Sequence, residues 1–150
     1  MKQTKTKYNK MNQIVTELKL PDYRYEQITN AIFHQRIDQF DNMQILPKAL
    51  RKALTNEFGN RVSSVKPVFI QDSKQAEKLL FELTDGEKIE AVGLKYKQGW
   101  ESFCISTQCG CGFGCRFCAT GSAGLKRNLT VDEITDQLLY FLFNNHRLSS

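Results

Sequence analysis

The stretch TQCGCGFGCRFCATG, residues 107–121, holds Cys109, Cys111, Cys115 and Cys118, and the chain's fifth cysteine, Cys104, lies just upstream in SFCIS. Cys111, Cys115 and Cys118 read C-x3-C-x2-C. Three thiolates so close together suit a soft metal or an iron–sulfur cluster. Structural zinc usually takes four ligands, often from two separate C-x2-C knuckles. Here one such pair stands without a partner pair, and His34 and His146 are remote in sequence. Cys109, one residue from Cys111, would give zinc an awkward bite. A [4Fe-4S] cubane fits three cysteines better, because its fourth iron stays open to chelate a substrate. Gly110, Gly112 and Gly114 let the backbone wrap closely, and Phe113 and Phe117 are placed to shield a cluster from water. Zinc stands as the alternative.

The elements around this loop must hold it in place. Upstream, KQGWESFCIST reads as a strand, with Trp100 as a core anchor. Downstream, Thr130 and Glu133 form a T-x-x-E capping box that opens a helix with an apolar face of Ile134, Leu138, Leu139, Phe141 and Leu142. The loop therefore lies between a strand and a helix. Further upstream, VKPVFIQD reads as a strand in which Pro67 marks an edge or a strand start. AEKLLFELTDGEKIEAVGLKY is a hairpin turned at Asp85-Gly86, a favoured type I′ pair. The first sixty residues show helical spacing instead. Met11, Ile14, Val15 and Leu18 form one stripe, and Ile28, Ala31, Ile32 and Phe33 a second. Ala49, Leu50, Ala53, Leu54 and Phe58 form a third, stopped by Gly59. The opening MKQTKTKYNK reads as a solvated arm. Lys48, Arg51 and Lys52 lie on the polar side of the third helix, an ordinary solvated face that could also meet RNA backbone.

A hydrophobic content of 41% with 25% charged residues is that of a globular protein. No apolar run is long enough to span a membrane, and no signal peptide follows the basic N-terminus, so the expected location is the cytoplasm. In that reducing compartment clustered thiols bind metal or react more often than they form structural disulfides. A net charge of +5 permits nucleic-acid binding without requiring it.

C-x3-C-x2-C with an aromatic residue, Phe117, before its last cysteine resembles the signature of the radical S-adenosylmethionine superfamily. The flanks resemble something narrower. GWESFCISTQCGCGFGCRFCATG, GLKRNLTVDEITDQLLYF, PDYRYEQITNAIFHQRI and LPKALRKAL together resemble the Cfr/RlmN family of 23S ribosomal RNA methyltransferases over nearly the whole chain. Cys109 and the local wording are closer to its Cfr branch, which methylates C8 of one adenosine in the peptidyl-transferase loop and so confers antibiotic resistance. The RlmN branch methylates C2 of the same base.

The resemblance implies an α/β protein with an α+β N-terminal region. A helical RNA-binding accessory domain (residues 1–62) would be followed by a β-rich connection (63–107). The first βα unit of a partial (β/α)6 barrel (108–150) would follow, the barrel being cut off after that unit. Cys111, Cys115 and Cys118 would hold the [4Fe-4S] cluster, with Phe117 beside the bound cofactor. The reduced cluster would cleave S-adenosylmethionine, and the resulting radical would activate a methyl group carried on a cysteine. Glu90, by itself a solvated strand carboxylate, matches the family's proton acceptor, although Ala91 replaces the usual threonine. Cys104 matches the cysteine that closes a transient disulfide with a cysteine beyond this chain.

The expected partners are 23S rRNA before full ribosome assembly and an electron donor such as flavodoxin. The expected state is a monomer with no membrane partner. The methyl-carrying cysteine and most barrel strands have no counterpart in these residues, so the 150-residue chain is expected to be a fragment that is inactive alone. Two rivals follow: a zinc-stabilised RNA-binding module without catalysis, and a radical enzyme acting on protein or a small molecule.

Overall fold

The computed structural model describes residues 6–97, 99–115 and 124–144. The chain divides into two compact units, residues 1–64 with 142–150, and residues 65–141.

The first unit is helical. Thr6 caps α1 (Lys7–Glu17), its side chain accepting from the Asn9 backbone N–H. Met11, Ile14 and Val15 point inward, while Leu18, past the helix end, is 40% exposed. Lys7 does not lie in a solvated arm. It is buried, and its Nζ donates to the Val62 carbonyl at 2.9 Å, so the ammonium keeps a partner as its stem packs. α2 (Tyr23–Phe33) buries Ile28, Ala31 and Ile32, whereas Phe33 ends the helix half-exposed. A 3₁₀ turn (Phe40–Asn42) inserts Phe40 into the core, and Met43 and Leu46 follow it inward. α3 (Lys48–Phe58) contributes Leu50 and Leu54, both fully buried, while Ala49 faces out.

The second unit is built on a four-stranded antiparallel sheet in the order β1 (Lys66–Asp72), β2 (Ala76–Glu82), β3 (Lys88–Lys95), β4 (Glu101–Cys104). Pro67 lies on an edge strand, as its missing N–H requires, beside an irregularity between Pro67 and Phe69. The β2–β3 turn is not type I′. The Leu83 N–H bonds to the Glu87 carbonyl and the Gly86 N–H to the Leu83 carbonyl. Gly86 has φ +83°, while Asp85 stays at negative φ. This is a three-residue loop, a type I turn closed by a left-handed glycine. Trp100 is not a core anchor. It stacks on Tyr96 with ring centroids 5.0 Å apart and is 61% exposed, because it sits in the β3–β4 connection outside the sheet's covered face.

A two-stranded sheet pairs β5 (Gln108–Gly110) with β6 (Leu125–Asn128). β6 runs into α4 (Val131–Asn144). Tyr140 and Phe141 of α4 meet Phe81 and Phe103 of the larger sheet at 5.1 and 4.8 Å between centroids. The core they join contains Val65, Leu79, Phe81, Ile89 and Ala91. Each of these side chains except that of Ala91 contributes about 1.5–3 kcal/mol through burial. Leu138, expected on the apolar face, is 41% exposed, and its place is taken by buried Glu133, Asp136 and Gln137. Every strand pair among the described residues is antiparallel. A lone βα unit offers no parallel neighbour, so the barrel expectation concerns sheet beyond these residues. No helix among the described residues is long and apolar enough to cross a membrane.

Candidate functional site

The cysteine loop hangs from the β5–β6 neck. Gln108 pairs with Asn128, Cys109 with Arg127, and Gly110 with Leu125. The Cys111 N–H closes the neck on the Gly124 carbonyl at 3.2 Å. The sequence pattern did not disclose this neck, because LKRN is too short and too polar to read as a strand. Cys111 and Cys115 are half-buried free thiols. Cys118, Phe117 and Arg116 lie outside the described residues. Phe113 does not shield the loop: it stands at a turn and is 91% exposed.

Cys109 faces the opposite way. It is buried in the sheet core, where its Sγ donates to Glu87 Oε2 at 3.5 Å and approaches the Lys88 carbonyl at 3.7 Å. Burial first, and then the Glu87 carboxylate, push its pKa up, which keeps it a thiol at neutral pH. A protonated sulfur engaged in the core is a poor metal ligand. The donor set left to the loop is Cys111, Cys115 and Cys118, three thiols among glycines, and it fits a cluster with one open iron.

Arg127 anchors the outgoing strand. Its guanidinium lies 2.7 Å from Asp85 Oδ2 at the β2–β3 turn and 2.7 Å from Glu133 Oε1 at the start of α4. Glu133 also completes the capping box: the Thr130 N–H donates to it at 2.8 Å, and its own N–H donates to Thr130 Oγ1 at 3.2 Å. Arg127 holds the Glu133 carboxyl down at about 2, against an ordinary 4.5. Arg127 likewise lowers Asp85, with help from the Glu87 N–H. Both groups titrate lower folded than unfolded. Their stabilisation is therefore complete above the ordinary carboxylate range and fades as pH falls toward 2. Arg127→Gln is expected to cost about 2 kcal/mol at neutral pH after solvent screening. The gap between parent and variant in urea unfolding should close below pH 4.5, and a gap that ignored pH would refute the ionic account. Thr130→Ala should cost about 1 kcal/mol through the lost cap, read in the same assay.

Between β4 and β5 the chain is strapped down. The fully buried Gln137 accepts the Ser106 N–H at Oε1 (2.9 Å) and returns Nε2–H to the Ser106 carbonyl (2.9 Å). Ser106 Oγ donates to the Glu90 carbonyl at 2.7 Å, and the Leu129 N–H reaches the Thr107 carbonyl at 2.9 Å. Sequence reading missed Ser106 and Gln137, and it took Arg127, with Arg116 and Lys126, as positive charge around the loop rather than as an anchor paired to Asp85 and Glu133. The available signal was polar residues four apart, Glu133 and Gln137, on a helix otherwise rich in leucine and phenylalanine.

Glu90 and Cys104 stand on one exposed face of the larger sheet. Cys104 pairs with Val92, and Glu90 is two residues along the same strand, on the same side. Diagonal neighbours of this kind lie roughly 7–8 Å apart. Lys78 Nζ reaches Glu90 Oε1 at 2.9 Å.

Residues 4–58 match the family model described as Ribosomal RNA large subunit methyltransferase N-terminal domain. All 150 residues align at 83% identity with 44% of a protein named Ribosomal RNA large subunit methyltransferase Cfr from Clostridium botulinum (strain Okra / Type B1). A protein of the same name from Staphylococcus aureus is 57% identical over 146 residues, 97% of this chain and 42% of that protein. Among solved structures, a radical SAM methyltransferase from Sphaerobacter thermophilus superposes with a TM-score of 0.78 at 33% identity, covering 89% of this chain and 39% of that one. The chain thus spans less than half the length of the relatives it matches. By these likenesses the chain resembles an N-terminal portion of the proteins named Ribosomal RNA large subunit methyltransferase Cfr.

Proposed function

We propose that the intact protein is a radical S-adenosylmethionine methyltransferase of 23S rRNA that methylates C8 of an adenosine in the peptidyl-transferase loop and so protects ribosomes from antibiotics. The reading is carried by a three-cysteine loop slung from a hydrogen-bonded neck, in a chain 83% identical throughout to a Cfr protein. Cys111, Cys115 and Cys118 would hold a [4Fe-4S] cluster, with Phe117 beside the cofactor. When bound, that cluster supplies the electron for reductive cleavage of S-adenosylmethionine.

The chain's own side chains do the rest of what falls within it. Glu90, on the open sheet face, takes the ring proton of the adenine, and Lys78 steadies its carboxylate. Cys104, exposed at the end of β4, resolves the covalent adduct between RNA and protein. Its thiolate attacks the sulfur of the methyl-carrying cysteine, which lies beyond this chain. The S–S bond forms as the S–C bond breaks, and the carbon keeps the electron pair and takes a proton. A dithiol reductant then returns both cysteines to thiols. The enzyme works as a cytoplasmic monomer on rRNA before full assembly, fed by a low-potential donor such as flavodoxin. The 150-residue chain alone is inactive.

The test is anaerobic reconstitution of the full-length protein, followed by mass-spectrometric mapping of the modified adenosine. Iron, sulfide and a methyl group on C8 are the expected result. Methylation at C2 would make it an RlmN-type enzyme. One zinc per chain, with no iron and no RNA modification, would make it a binding module.

A further inference from the structure

We infer that Gln137 is a positioning residue that sets Cys104 in fixed relation to the β5–β6 neck, acting through Ser106; this rests on the function proposed above. The β3–β4 register pairs Val92 with Cys104, so continuing it would bring Ser106 opposite Glu90. The ladder instead stops at Cys104. Ser106 turns its N–H and carbonyl to the Gln137 amide, both at 2.9 Å, and its hydroxyl supplies the donor that the Glu90 carbonyl would otherwise take from a strand. The amide acts as a one-residue substitute strand. It presents one donor and one acceptor, as backbone would, but from a helix.

Its own position is fixed. Gln137 is wholly buried, and Nε2 also donates to the Glu133 carbonyl at 3.1 Å. Glu133 in turn is clamped by Arg127 at the neck of the loop. One chain of bonds thus runs from β6 through α4 to Ser106. Ser106 is two residues past Cys104 and five before Cys111. A buried amide with all these bonds made holds its neighbours to one geometry, and leaving one bond unmade is costly. The resolving thiol needs such a hold. It must reach a sulfur near the loop without attacking the loop's own cysteines.

The experiment compares Gln137→Leu, which keeps bulk and loses all three amide hydrogen bonds, with Ser106→Ala, which removes only the hydroxyl tie to Glu90. Both are made in the full-length protein. In cluster-free, reduced protein, the backbone amides of residues 104–107 should exchange with deuterium about fivefold faster or more in either variant, as expected for loss of a hydrogen bond that keeps a strand end closed. After reconstitution, both should retain parental iron and sulfide yet accumulate the RNA–protein adduct that Cys104 resolves. Leu138→Ala, an exposed neighbour on α4, should change neither reading.

Parental exchange rates together with adduct-free turnover in both variants would overturn the inference. So would adduct, iron and folding falling in parallel, which marks a purely structural role. If Gln137→Leu does not fold, Gln137→Glu, which keeps the acceptor for the Ser106 N–H and loses the Nε2–H donor, decides in its place. If the parent modifies no RNA, the proposed function fails while the exchange comparison still reports on the strap.

Discussion

Replacing Cys111, Cys115 or Cys118 singly by alanine in the full-length enzyme is expected to lower rRNA methylation at least about a thousandfold, with loss of iron and sulfide, because no other route replaces the step they support. Cys109→Ala should behave differently. Its sulfur lies in the sheet core, bonded toward Glu87 and Lys88, and its raised pKa keeps it protonated. The expected cost is about 1–2 kcal/mol of packing and hydrogen bonding, with the cluster retained. The pair of outcomes separates three-thiolate ligation from a four-cysteine zinc site. Metal loss on Cys109→Ala equal to that on Cys111→Ala would refute the first, and parental methylation after any of the three loop substitutions would refute the proposed function.

The contrast between Cys109 and its neighbours shows what a sequence discloses. Spacing singled out the three loop cysteines, since ligand geometry is local. Direction did not follow from spacing: Cys109 sits on β5, whose alternation turns it inward, and β5 exists only because it pairs with β6. That pairing joins segments separated by the whole loop, and four residues, three of them polar, carry no period that announces it. The capping box of Thr130 and Glu133 was legible because its partners are three residues apart. The other use of Glu133, as a partner for Arg127, was not, since it depends on where β6 lies. The same reason hid Lys7, whose ammonium finds a carbonyl at Val62. Gln137 escaped because a polar residue within an apolar stripe reads as an interruption, when it is a backbone partner for Ser106. Glu90 and Cys104 were named through family resemblance. The sheet register adds that they share a face.

The second large effect concerns the neck itself. Gly110 has φ +77°, and a Cβ there would lie 1.9 Å from the Gly124 carbonyl oxygen, the same atom that accepts the Cys111 N–H. The obstacle is backbone, so no side-chain rotation relieves it. Alanine at 110 must leave the left-handed region, at about 1–2 kcal/mol, and push the two strands apart, breaking the closing bond for about another 1 kcal/mol. Gly110→Ala is therefore expected to destabilise the protein by about 3 kcal/mol or more and to lose most reconstituted iron, because the limbs carrying the cysteines separate. Gly112, two residues on, is the control. Its nearest neighbours are Leu125 side-chain atoms at 3.8 Å, an ordinary contact, and it is not among the positive-φ glycines. Gly112→Ala should stay within about 0.5 kcal/mol of the parent. Urea unfolding and iron analysis of the two variants read the difference directly. Equal, small effects would mean that the β5–β6 contact does not hold the loop, and the cysteines would then have to be gathered by the cluster alone.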